Sequence, residues 1–542
     1  MPINTLHPYY DRYYDLWQRA RDFDGGEDDV KEACLLQSKG EGIRIYLPRP
    51  SGHTDADYRS YVELADFLDA VSVTIELFSG AVFRKPLKVN YPDEWDSREF
   101  SFKKELEDVT GTGIPIEDYA KEQFEDFLRT GRHFTLLSMD PIDERRVRGP
   151  ARPYWVSLAA EQNTFWTDEG DRWVFVKPEL ASNSGDLYEL RLVPIWHELI
   201  LERNDMGEGV YVHVVYRGSF DQIQPEINTH QLDYRSLALH GKAGHGGTPP
   251  VEESRIYPGF GEGDANTGGR FNFLPVCLFT AGKLTNDPVK PPLMRIVNLA
   301  RRYYRIGAEY AWNMHWSIIK QPWISGATKD EVSKNPRGMV FGGSHILVLP
   351  NVNAKLDIAE VHPQGYEAFE AKLQSTRTEI AALGTHTLIV EKRAVETAEA
   401  LAIRKASPHA TLQTWVDKQE RCLERTVRWH AYMGGFTDQV DDERITVVMN
   451  RDFVPGHADP AYLMAMLQYV LNNKMTIESL FHNLEQADMV APDETFDIYE
   501  TRLSAQREPA MDDEPDDADP MMTQRDRSFA NNGRADPSTL VR

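Results

Sequence analysis

The sequence predicts an α+β chain, and three observations lead there. Between Arg152 and Tyr234 the runs "RPYWVSL", "DRWVFVKP", "YELRLVPIWHELILE" and "GVYVHVVYRG" alternate apolar with polar residues, the pattern of a mainly antiparallel sheet. Helical spacing of apolar residues fills the segments before this block. After it, a long helical pattern at 291–316 and another restarting at Pro363 are separated by short, proline-broken extended pieces, so the second half reads as helix, small β excursion, helix.

Taken in order, "YRSYVELADFLDAVSVTIELFSGAVFRKPLKV" begins as a helix with Tyr61, Leu64, Leu68, Val71, Ile75 and Phe78 on one stripe. It is expected to end at Gly80 and turn into an extended, proline-stopped strand. A helix from Ile116 should stop at Gly131, followed by the strand "HFTLLSMD". Residues 241–269 are dense in Gly and Pro and read as a long surface loop. The strand "FNFLPVCLFTAG" leads into the 291–316 helix. Beyond it lie "SIIKQPWISG" and "SHILVLPN", then a helix striped by Tyr366, Phe369, Leu373, Ile380 and Leu383. Pro408 should kink or restart the next helix, whose stripe is Leu412, Trp415, Val416, Cys422, Leu423 and Val427. The strand "ITVVMNRDF" precedes helical patterns near 460–471, 476–487 and 493–505.

The segment "PPLMRIVNLARRYYRIGAEYAWNMHW" (291–316) is unusual. Ile296, Leu299, Ala300, Tyr303, Gly307, Tyr310 and Met314 form one stripe, but Val297, Tyr304, Ala308, Ala311, Trp312 and Trp316 point elsewhere, with Arg301, Arg302 and Arg305 between them. Such a helix is contacted on more than one side, either by neighbouring copies or by the rest of a large monomer.

Composition narrows the function. A chain of 542 residues can hold several domains, and 41% hydrophobic with 27% charged residues is globular composition. No apolar run is long enough to span a bilayer, and "MPINTLHPYYDRYY" lacks the form of a secretory signal, so the chain is expected to be soluble and cytoplasmic where it is made. Cys34, Cys277 and Cys422 are too scattered for a disulfide framework or zinc site and are expected to be buried thiols. A net charge of −25 has the wrong sign for gripping phosphates, which argues against a sequence-reading DNA binder. The stretch "EPAMDDEPDDADP" adds seven acidic residues and no basic one.

Motifs for chemistry fail one after another. No G-x-x-x-x-G-K-[ST] occurs, and "HGKAGHGG" has its letters in the wrong order. The glycines of "GEGDANTGGR" do not sit between a strand and a helix. "WHELILE" imitates a zinc-protease helix, but Leu201 stands where the second histidine belongs. His230, His240 and His245 lack ligand spacing, and carboxylates are too abundant for any pair to stand out. No candidate active site, metal site or cofactor site emerges.

The order of the pieces is more telling. "YLPRP" (46–50), "LFSGAVFRKP" (77–86), "GR" (131–132), "ARPYWVSLAAEQNTFW" (151–166), "PPLMRIVNLARRYYR" (291–305), "VETAEALAIRKA" (395–406) and "MNRDF" (449–453) occur in an order that resembles the portal proteins of tailed bacteriophages, in particular an uncharacterised portal-like family. The glycine loop and the acidic tail depart from that pattern.

The resemblance implies a portal fold with an α/β wing, a helical stem, a small β-containing clip and a helical crown. It assigns 1–290 to the wing, 291–316 to the first stem helix, 317–362 to the clip and 363–383 to the second stem helix. Residues 384–396 become the channel loop, 397–455 a wing helix and strand, 456–507 the crown and 508–542 an acidic tail. It further implies a non-enzymatic homo-oligomeric ring, ordinarily a dodecamer, at one capsid vertex of the virion, assembled in the host cytoplasm. Its partners would be the terminase large subunit, a head-to-tail adaptor, the major capsid protein and double-stranded DNA passing without sequence specificity, with no membrane and no cofactor. Expected channel contacts are His386, Lys392 and Arg393; subunit-interface residues are Tyr304, Trp312 and Trp316; docking residues are Lys320 and Trp323. The alternatives are another ring-forming phage scaffold, or an enzyme whose site the sequence hides.

Overall fold

The computed structural model describes residues 3–38, 46–97, 101–139, 152–183, 186–203, 209–217, 234–235, 252–256, 270–282, 285–318, 321–325, 355–359, 365–384, 398–451, 453, 476, 478–481 and 496–507. The chain divides into two compact units, Met1–Val454 and Pro455–Arg542.

The first unit opens with α1 (Pro8–Gly25) and α2 (Glu27–Ser38). Pro8 suits the first turn because its missing N–H needs no partner there, and His7 caps the helix by accepting from the Tyr9 amide. Tyr10, Tyr14, Trp17 and Phe23 form the buried stripe of α1. Next come α3 (Asp55–Glu63), started by a Thr54–Asp57 capping box, and α4 (Val71–Val82). The single helix expected through this region is therefore two, with Gly80 inside α4 rather than ending it. The break packs closely on another part of the chain. In the break between α3 and α4, the Asp66 backbone lies so close to Gly307 that a Cβ there would stand 3.1 Å from the Asp66 carbonyl oxygen.

After β1 (Lys88–Asn90) and α5 (Phe102–Leu106), α6 (Ile116–Thr130) ends as expected at Gly131, whose φ of 81° is the left-handed cap that glycine adopts without strain. Three antiparallel strands follow the order β3–β2–β9, from β3 (Pro153–Ala159), β2 (Arg132–Met139) and β9 (Val276–Thr280). A five-stranded antiparallel sheet runs β4–β5–β6–β7–β8, from β4 (Asn163–Trp166), β5 (Arg172–Asn183), β6 (Asp186–Arg203), β7 (Gly209–Arg217) and β8 (Glu252–Ile256). Strand β8 falls inside the expected 241–269 loop. Its five residues are too few and too polar to show a period, and pairing with the edge of β7 defines it.

The chain continues through α7 (Met294–Ile318), the antiparallel pair β10 (Gln321–Ser325) and β11 (Lys355–Ala359), α8 (Tyr366–Leu383) and α9 (Ala398–Met433). Pro408 does not end a helix; it lies within α9, which spans 36 residues. A proline there forfeits one backbone hydrogen bond, and the packing further along the helix holds the rest. Strand β12 (Thr446–Val448) then pairs antiparallel with β1. All three cysteines are buried and free, as their scatter suggested. Among the described residues no helix is long and apolar enough to cross a membrane. In the second unit, α10 (Phe496–Arg507) places Phe496 and Tyr499 against the ring of Phe481.

One polar pair in the larger sheet sets a pH limit. His197 on β6 and His213 on β7 meet with Nδ1 and Nε2 at 3.1 Å. Burial, with Lys177 and Arg217 adding to it, pushes His197 down to about 4. Burial and the facing His197 push His213 to about 3. An unfolded imidazole titrates near 6.5, so below that pH the unfolded chain binds protons that the folded chain refuses. The stability held by the neutral pair is thus complete above about pH 6.5 and is lost as the pH falls toward 4. The melting temperature should drop by several degrees between about pH 7.5 and 5. His213→Phe should drop distinctly less in the same calorimetric scan; an equal drop would remove the pair as the cause.

Candidate functional site

The part of the molecule that the portal resemblance singles out is the hairpin of α7 and α8. The cross-bonds of the two helices run in opposite order. Arg302 donates to Thr376 and Glu379, Arg377 reaches the Tyr303 hydroxyl, the Tyr310 hydroxyl donates to Glu370 at 2.9 Å, and the Tyr366 hydroxyl donates to the Asn313 carbonyl at 2.9 Å. The helices are therefore antiparallel, with 302 and 379 near one end and 313 and 366 near the other. Twenty-five residues at 1.5 Å each make α7 about 37 Å long. Strands β10 and β11 join the far ends, with Trp323 opposite Asp357 in the register.

The near end is rooted in the sheets and helices of the first half. Pro291 and Pro292 sit against Gly131 at the corner between α6 and β2, and Gly384, just after α8, lies beside Thr74 of α4 and Ile296 of α7. Helix α8 buries only Leu373, Thr376 and Ile380. The rest of its described surface is mostly exposed and polar, including Glu367, Glu370, Lys372, Arg377 and Glu379.

Helix α7 answers the question its sequence raised. Contacts do come from several directions, but its own chain supplies them. Tyr304 has no exposed surface, with its ring edge-on to Phe67 and its hydroxyl toward Cys34. Arg305 donates to the Tyr46 carbonyl at 2.6 Å, and Tyr61 donates to Glu309 at 3.0 Å. Trp312 is half-buried between His53, at 4.9 Å between ring centres, and Tyr61, at 5.7 Å. Of the residues expected at a subunit interface, Tyr304 thus has no side-chain surface left for a neighbouring copy, and Trp312 spends part of its surface within its own chain. Trp316 lies on the last turns of α7 and Trp323 on β10; Lys320, His386, Lys392 and Arg393 fall outside the described residues.

A second polar cluster was not legible in sequence. Asp126 on α6 lies 2.8 Å from Nδ1 of His133 on β2, and Nε2 of that ring lies 3.4 Å from the hydroxyl of Ser157 on β3. Arg21 of α1 reaches both Asp126, at 2.6 Å, and Glu161, at 2.5 Å. Burial pushes the Asp126 carboxyl up, and Arg21 and His133 outweigh it, holding the group well below the usual carboxylate range. The residues come from α1, α6, β2, β3 and the turn at 160–162 with no motif spacing, which is why no sequence pattern finds them. Among the described residues no group of three or more side chains is arranged to hold a metal ion.

The family described as Domain of unknown function (DUF4055) matches residues 292–433, the segment from the mouth of α7 to the end of α9 and less than half of the chain. No curated protein matches. The chain aligns with a chain of "Virion of native gene transfer agent (GTA) particle" at 11% identity and a TM-score of 0.31, over 81% of this chain and 93% of that one. It aligns with a chain of "Neck of empty GTA particle computed with C6 symmetry" at 12% identity and a TM-score of 0.33, over 84% of this chain and 98% of that one. Similarity at this level assigns neither a shared fold nor a role.

The burial of Tyr304 changes what its substitution should do. Tyr304→Asp would leave an unpaired charge in the core of the chain, which costs several kcal/mol. We expect loss of the folded subunit itself, seen as a collapsed melting transition and aggregation. A well-folded Tyr304→Asp monomer that merely fails to associate would contradict the packing described here.

Proposed function

We propose that the chain is the portal protein of a tailed-phage particle, one subunit of the ring through which double-stranded DNA is packaged and ejected. Terminase and the head-to-tail adaptor would dock on the same ring. The observation that carries the reading is the α7–β10/β11–α8 hairpin, two antiparallel helices joined by a small β pair and rooted at one end in mixed α/β structure. That is the order of wing, stem and clip that the sequence resemblance implies, and the DUF4055 match spans the same stretch.

The charge suits the role. A ring multiplies the −25 of each subunit, and an acidic wall repels phosphates at short range, so DNA slides without being held. In this reading His386, Lys392 and Arg393 belong to the channel loop and touch passing phosphates. The capsid protein surrounds the ring, and Lys320 and Trp323 lie in the clip where terminase and adaptor bind.

Negative-stain images of the purified chain should show rings, ordinarily of twelve copies, with a pore wide enough for duplex DNA; a monodisperse monomer at all concentrations would overturn the proposal. Lys392→Glu with Arg393→Glu should leave rings intact and reduce DNA protected per head, less so at high salt. Unchanged packaging would remove these side chains from translocation. Trp323→Ala should weaken capture of the cognate adaptor, since aromatics anchor such interfaces. Equal capture would assign the tryptophan to contacts within the ring.

A further inference from the structure

The geometry points to a chemical activity independent of the portal reading: we infer that Asp126, His133 and Ser157 form an acyl-transfer relay, with Ser157 as the nucleophile toward small carboxylic esters. The order of contacts is the one a serine nucleophile needs. Asp126 fixes Nδ1 of His133 as the protonated nitrogen, which leaves Nε2 as the acceptor facing the Ser157 hydroxyl. A contact of 3.4 Å is at the long end for a hydrogen bond, and resting relays are often loose and tighten with substrate.

Burial is graded in the right direction. Asp126 and His133 are buried while Ser157 is exposed, so the two groups that must be oriented are shielded and the group that must meet substrate is in water. The register explains the approach. Ser157 pairs with Thr135 and His133 with Ala159, so serine and histidine are diagonal neighbours on one face of the sheet. Thr135, directly opposite the serine, does not compete for the imidazole; its hydroxyl accepts from Tyr119 and Gln123, both at 2.9 Å.

Arg21 is shared between Asp126 and Glu161, so these three groups carry one net negative charge beside His133. The sheet edge supplies a donor. Strand β3 is an outer strand, and its amides at Trp155 and Ala159 point away from β2, to the Val109 carbonyl and the Gln162 side chain. By the alternation of the strand the Ser157 amide points the same way, and among the described residues it has no partner, which leaves it available to a developing oxyanion.

The step balances within the chain. The Ser157 Oγ attacks the carbonyl carbon as its proton passes to His133 Nε2. The ester C–O bond then breaks, and the leaving alkoxide takes that proton. Water repeats the sequence, freeing the acid and restoring Ser157.

The test uses the full-length protein, whatever its oligomeric state, with a fluorophosphonate probe and p-nitrophenyl acetate. Peptide mass mapping should place the phosphonyl group on Ser157, and Ser157→Ala should abolish it and lower ester hydrolysis at least about tenfold. His133→Gln should do the same; should it fail to fold, Ser157→Cys replaces it. That thiol should be alkylated by iodoacetamide with a pH midpoint well below the ordinary 8.5, because the adjacent imidazole stabilises the thiolate. Labelling of Ser157 no faster than of other exposed serines, or an ordinary thiol midpoint in Ser157→Cys, would overturn the inference. Rings with no labelling, or labelling with no rings, would separate this inference from the portal reading.

Discussion

The return of α9 into the first half of the chain is the contact on which the rest depends. Lys418 donates to three successive carbonyls, those of Thr280, Ala281 and Gly282, where β9 ends. Gln419 donates to the Ala120 carbonyl on α6, Cys277 of β9 donates to the Cys422 carbonyl, and Trp155 of β3 donates to His430. Each bond joins residues more than 130 positions apart. A single ammonium satisfying three strand-end carbonyls is a charge-assisted contact, stronger than neutral bonds in a partly buried setting. Because α9 is fixed to the sheet that precedes α7, the α7–α8 hairpin leaves from and returns to one body.

A second constraint is electrostatic. Arg21, Asp126, Glu161 and His133 bring α1, α6, β2 and the turn before β4 together in the interior. Buried ion pairs add little net stability against an apolar replacement, but removing one partner strands the other at a cost of about 3–5 kcal/mol. The Asp126 carboxylate also holds the His133 ring through Nδ1.

Much of this was legible in residue patterns. The Gly131 stop, the alternating strands of the larger sheet and the stripe of α9 from Leu412 to Val427 are local signals, and each element stands where its signal put it. What failed depends on partners distant in sequence. The break between α3 and α4 sets the Asp66 backbone against Gly307, and Leu64, on the expected stripe, is exposed. Strand β8 exists because β7 offers an edge. Helix α1 does carry an apolar period, with Tyr10, Tyr14, Trp17, Ala20 and Phe23 three or four residues apart, while the acid-rich α2 carries a weaker one. The cluster at His133 is invisible in sequence because strand register sets Ser157 beside His133 while helix packing brings Asp126 and Arg21 to them.

The all-round pattern of α7 shows how a correct reading of contact can leave the partner open. Periodicity reports that a surface is covered, never by what. Here the chain's own α1, α3, α4 and α8 pack against α7, so most of its apolar circumference is already used within the monomer. In the proposed ring, the stem surface still open to a neighbour includes the exposed face of α8. The described exposed positions on α8 are Glu367, Glu370, Lys372, Arg377 and Glu379 among small or polar residues, with Leu383 as its exposed large apolar side chain. Contacts of that composition are weak singly and screened by salt, and they let one helix shift past another without opening an apolar core. A stem made this way would hold its place through the many copies of the ring and the rigid roots at Gly131 and Gly384, not through any one strong interface.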